Sequence, residues 1–97
     1  MKISAGLKLI TDELLRAEKK FPAFPTDAVH AAAIIAEESG ELIQAALQYT
    51  YEDGEKSHLR EEAVQTGAMA LRFLLHLEDL RSRTSEQVEH TAIQKQK

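Results

Sequence analysis

Apolar side chains recur at three- and four-residue spacing from Ala31 to Tyr49, through Ile34, Ile35, Leu42, Ala45 and Ala46, and Glu38 occupies one position of that stripe. The spacing keeps side chains on one side of an α-helix, so this segment is constrained to fold as a helix with a carboxylate in the face it buries. Glu37 and Glu41 lie within about 100° of Glu38 on a helical wheel of 3.6 residues per turn. Carboxylates are almost never fully buried unless paired or bound to a cation. Something positive is expected in front of this helix.

The rest of the chain reads as helix too. Ile3, Leu7, Ile10, Leu14, Ala17 and Phe21 alternate spacings of four and three, which predicts a first helix over about 3–20 with a single apolar seam. Pro22 and Pro25 cannot sit inside a helix and bias their predecessors toward extended backbone, so residues 21–25 form a connector. Thr26 is placed to cap a second helix over about 27–51, with Asp27 in its first turn, and Asp53-Gly54 breaks it. Ser57 is placed to cap a third helix over about 57–80. The apolar positions of that helix run from Leu59 to Leu77 and cover more than half the wheel, an arc wide enough for burial both within the chain and against another subunit. Thr84-Ser85-Glu86-Gln87 matches a capping box and predicts a short, weakly apolar fourth helix over 85–93. No strand pattern or repeat is present. The expected fold is an all-α antiparallel bundle of three long helices plus a short C-terminal helix, in one domain over 1–97, completed by oligomerisation.

Composition narrows the function. A chain of 97 residues buries only roughly 60–65% of its unfolded surface, so a lone core is marginal. The net charge of −4, with three Phe, two Tyr and no Trp, disfavours nucleic acid as a partner, because neither a basic face nor a base-stacking surface is at hand. The absence of cysteine excludes thiolate chemistry and fits a reducing, cytoplasmic setting. No apolar run approaches the ~20 residues a bilayer span requires.

Glu62 and Gln65, three residues apart on the third helix, border its apolar arc. If the second and third helices pack antiparallel through their short link, Glu38 and Glu41 approach Glu62 and Gln65 and form an oxygen-rich pocket. Such a pocket suits Mg²⁺, with Mn²⁺ also admissible, better than Zn²⁺. The segment Glu37-Glu38-Ser39-Gly40-Glu41, followed by Glu62-Ala63-Val64-Gln65, resembles the EExxE and ExxD half-motifs of the MazG-like all-α nucleoside triphosphate pyrophosphohydrolases, over roughly residues 20–78. Gln65 stands where that family has Asp. The resemblance implies Mg²⁺-dependent hydrolysis of a nucleoside triphosphate to monophosphate and pyrophosphate by a homodimer or a pair of dimers. It implies Glu38, Glu41, Glu62 and, with a neutral oxygen, Gln65 as metal ligands, and Glu37 as a further ligand or the group that orients water. It also places the base near Phe21 and Phe24. Lys56, Arg60 and Arg72 are the basic residues nearest the motif that could meet phosphate, and His58, four residues before Glu62, could touch the pocket. With Gln65 in the motif, a catalytically weak helical dimerisation or nucleotide-binding module is the alternative.

Other readings stand beside these. Arg60 or Arg72 could pair with Glu38 as a structural ion pair. Phe21 and Phe24 could be core plugs, and Gly40 and Gly67 could mark close helix packing. The remaining histidines, His30, His76 and His90, show no metal-ligand spacing.

Overall fold

A computed structural model describes residues 1–82; the expected fourth helix over 85–93 lies outside them. Three helices form, α1 (Ile3–Lys20), α2 (Ala28–Tyr51) and α3 (Lys56–Leu75), and a 3₁₀ turn (Leu77–Asp79) follows α3. Among the described residues there is no strand. No helix is long and apolar enough to cross a membrane.

The starts of α2 and α3 differ from expectation by a residue, and for α2 the reason is the cap. Asp27, not Thr26, is the N-cap of α2, its carboxylate accepting a hydrogen bond from the His30 amide at 2.8 Å. This satisfies one of the helix's free amides. Ser57 lies inside α3, whose N-cap Glu55 makes no side-chain capping bond. At its other end α3 stops at Leu75, short of the expected Leu80. There the His76 ring pairs with Glu18 of α1 at 2.8 Å and with Asp79 at 3.3 Å, and the chain turns through Leu77–Asp79 rather than following the apolar period onward.

α3 packs on both α1 and α2, whose backbones do not come close to each other; side chains of all three helices line one cavity. The connector spans this separation by passing the end of α3, where the Arg81 amide donates to the Thr26 carbonyl at 2.8 Å. On the α1 side, a Cβ at Gly67 would stand 3.0 Å from Ile10 Cδ1, so the glycine permits this approach. A Cβ at Gly40 would meet nothing within 4 Å, so no packing inside the chain requires that glycine.

The chain has little buried apolar interior among the described residues. The buried apolar residues are Leu14, Ala17, Ala31, Ala45 and Ala68, of which only Leu14 is larger than Ala. The α1 seam is covered only in part. Ile3 and Leu7 remain 83% and 59% exposed, and Phe21, expected to complete the seam, is 55% exposed because α1 ends one residue before it. Leu74 and Leu75 of α3 are also exposed, so within one chain the wide apolar arc of α3 is not covered over its full width.

Candidate functional site

Glu38 and Glu41 project from α2 toward Glu62 of α3, and one carboxylate oxygen from each lies within 4.8 Å of the other two. The trio draws on both helices of the α2–α3 hairpin. Glu62 is buried, Glu38 half-buried and Glu41 exposed, so the cluster opens to solvent on one side. Oε2 of Glu38 and Oε2 of Glu62 are buried with no hydrogen-bond partner.

Burial pushes the Glu38 carboxyl above its ordinary range, and the charges of Glu41 and Glu62 add to the effect. Burial likewise raises Glu62, followed by the charge of Glu41, with His58 opposing. Burial and mutual repulsion disfavour the charged forms of Glu38 and Glu62, a cost that a proton or a cation would relieve. Among the described residues no Arg or Lys pairs with the trio. Arg72 pairs with Glu18 at 3.3 Å and donates to the Phe21 carbonyl. Among the described residues, the one basic group within 4 Å of a trio carboxylate is His58, 3.9 Å from Glu62 and 3.8 Å from Glu61. An all-oxygen set with an open side matches the preference of a hard divalent ion that keeps part of its water shell.

Beside the trio lies a cavity of about 410 Å³ whose lining includes Glu38, Gln65, Phe21, Phe24, Met69 and Arg72. This volume is within the range of small-molecule sites, and its mainly apolar walls with a few polar groups are typical of them. The structure therefore brings Glu38, Gln65, Phe21 and Phe24 to one place, with Glu41, Glu62 and His58 at its acidic end. Glu37 is exposed and outside the trio. Lys56 and Arg60 lie elsewhere: Lys56 sits 5.9 Å over the Tyr49 ring, and Arg60 lines surface grooves with Leu9 and Val64.

Arg72 is a wall of this cavity and only 4% exposed. Its guanidinium carbon lies 4.9 Å from the centre of the Phe24 ring, which stacks on His76 at 5.0 Å. The Nε of Arg72 has no partner. The Glu18–Arg72–His76 network was missed in the sequence, although Glu62, Gln65, Met69, Arg72 and His76 follow each other at spacings of three and four and so trace one stripe of α3. What the sequence hides is Glu18, whose meeting with that stripe depends on how α1 lies along α3.

Comparison with protein-family models, curated proteins and solved structures returns no match.

Proposed function

We propose that the chain is a Mg²⁺-dependent nucleoside triphosphate pyrophosphohydrolase that releases a nucleoside monophosphate and pyrophosphate. The observation that carries this reading is the open carboxylate trio Glu38, Glu41 and Glu62, two of its oxygens buried and unpartnered, beside a cavity with aromatic walls. Glu38, Glu41 and Glu62 would hold a divalent ion, which would supply counter-charge to the phosphoryl oxygens and a more acidic bound water. The carboxylates orient the attacking water, the base occupies the cavity against Phe21 and Phe24, and the phosphates extend toward α2 and α3. With Arg72 paired to Glu18 and Arg16, the other arginine of the cavity wall, paired to Glu13, the metal rather than an arginine would be the principal counter-charge to the phosphates. A chain without cysteine is suited to this work in a reducing cytoplasm.

The test is pyrophosphate release from a panel of ribo- and deoxyribonucleoside triphosphates with Mg²⁺. Turnover of at least one nucleotide is expected, with Glu38→Gln lowering it roughly 100-fold or more, since even outer partners of a metal site are worth 10–100-fold. No turnover of any nucleotide, or unchanged turnover in Glu38→Gln, removes the reading. Gln65 favours a second one, a module that binds a nucleotide without hydrolysing it, because its amide oxygen is a weaker cation ligand than a carboxylate. Saturable Mg²⁺-dependent nucleotide binding without product, together with turnover gained by Gln65→Asp, would select it.

A further inference from the structure

Glu62 and Arg72 are the buried charged residues among those described, and the proposed hydrolysis uses only the first. Burying a guanidinium is costly unless its groups are partnered, and the partners of Arg72 come from two other parts of the chain. Glu18 of α1 supplies a counter-charge at 3.3 Å. The Phe21 carbonyl accepts a hydrogen bond from Nη2, and the centre of the Phe24 ring lies 4.9 Å from the guanidinium carbon. Phe21 and Phe24 both belong to the connector over residues 21–25, which is neither helix nor strand.

That connector has few polar groups with which to hold its shape. Pro22 and Pro25 carry no amide hydrogen, and among the described residues the amides of Ala23 and Phe24 make no backbone hydrogen bond. Its ends are fixed by the helices, where the Phe21 amide donates to the Ala17 carbonyl and the Arg81 amide to the Thr26 carbonyl, each at 2.8 Å. Between those ends, the polar contact that ties the connector to α3 is the one from Arg72. The same guanidinium meets the other aromatic wall of the cavity by its face. Glu18 holds it there, with one carboxylate oxygen on Arg72 and the other on His76 at 2.8 Å. His76 in turn stacks on Phe24, so two side chains one turn apart on α3 grip that ring.

We propose that Arg72 is the positioning residue of the cavity. It fixes the backbone at Phe21 and the ring of Phe24, and so sets the spacing of the two aromatic walls that receive a planar nucleobase. This role rests on the cavity being the base site of the proposed hydrolase, and it replaces the phosphate contact expected of Arg72 from the sequence. An arginine is needed because a planar guanidinium donates in its plane while stacking by its face, whereas a lysine ammonium is a point charge.

The first readout needs no nucleotide, metal or turnover. The chain has three phenylalanines, so phenylalanine-selective carbon-13 labelling gives three rings to follow by NMR, with Phe73, which does not line the cavity, as the reference. Arg72→Lys keeps a cation beside Glu18 and should move the Phe21 and Phe24 signals toward their unfolded positions while Phe73 stays. Glu18→Gln, whose amide oxygen still accepts from Arg72, should leave all three rings in place although it destabilises the chain. If Arg72→Lys does not fold, the double variant Glu18→Gln/Arg72→Met, which removes both charges of the pair together, takes its place with the same expected shifts. With whichever nucleotide is hydrolysed, Arg72→Lys should raise KM about tenfold, the worth of roughly one base–aromatic stacking contact. The turnover number should stay within about twofold, because binding shared by ground and transition states appears in KM alone. Phe21 and Phe24 signals unmoved in the Arg72 variant, signals moved equally by Glu18→Gln, or a fall in kcat at unchanged KM each overturns the proposal. Absence of turnover with every nucleotide removes the hydrolase reading instead, and the ring signals still decide the role of Arg72.

Discussion

Glu62→Gln should stabilise the metal-free protein, although it alters one of the most buried polar side chains. The Glu62 side chain is 11% exposed, and its Oε2 has no hydrogen-bond partner. An unsatisfied buried polar group costs about 1–3 kcal/mol and a charged one more. Glutamine keeps the shape, removes the charge and offers an amide that can donate to Glu38 or Glu41, so a gain of about 1–2 kcal/mol at pH 8 follows. For a domain of this size that is roughly 4–16 °C in Tm. The pH dependence has a definite sign. Glu38 and Glu62 both titrate above the ordinary glutamate value of 4.5 in the folded chain, so folding favours their protonated forms. That contribution is complete below pH 4.5 and is lost as pH rises through the folded values. Far-UV circular dichroism melts in EDTA should show the unaltered chain losing stability from about pH 5 upward, with a shallower slope for Glu62→Gln. Saturating Mg²⁺ reverses the order at pH 8, adding about 2.7 kcal/mol to the unaltered chain at 100 times Kd and far less to the variant. A lower Tm for Glu62→Gln in EDTA at pH 8 would refute this reasoning, because it would mean that the carboxylate already has a protein partner whose loss leaves a buried cation.

Three further outcomes test the packing. Glu18→Gln removes the counter-charge of Arg72, which is 4% exposed; urea titration should show a loss of about 2–3 kcal/mol, below the 3–5 of a fully buried pair because Glu18 is partly open, while Asp12→Asn, which breaks the exposed pair with Lys8, should cost under about 0.5 kcal/mol. Gly67→Leu drives a side chain into Ile10, already 3.0 Å from where a Cβ would stand, and should lower stability by about 1–3 kcal/mol in the same titration. Asp27→Ala should cost about 1 kcal/mol by losing the α2 cap, whereas Thr26→Ala should change the melting curve little.

The parts of the fold legible in the sequence are those set by local rules. The apolar period fixed three helices to within a residue at most ends, and Pro22 with Pro25 marked the connector, because backbone donors and φ restrictions act wherever the chain lies. The end of α3 was not legible, since His76 turns away from the apolar period only through a carboxylate contributed by α1. The acidic trio could be anticipated because its two halves lie on helices joined by a short link, which leaves few ways to pack them. The cavity wall was harder. Arg72 read as a cation available to phosphate, yet its charge is spent on Glu18 and its face on Phe24, partners 54 and 48 residues away along the chain.

The same contrast explains why the outer stripe of α2 was not visible as a separate feature. Periodicity counts apolar positions without saying which neighbour covers them, and the inner stripe through Ala31 and Ala45 absorbed the pattern. Only when α3 is seen to cover one side of α2 do Val29, Ile43, Leu47 and Tyr51 on the opposite side stand out as exposed. Gly40 then changes meaning. A glycine inside a helix costs about 1 kcal/mol relative to alanine, and among the described residues a Cβ at Gly40 would meet nothing within 4 Å. Gly40 is two residues after Glu38 and directly before Glu41, so one stretch of α2 turns its carboxylates toward α3 and its glycine outward.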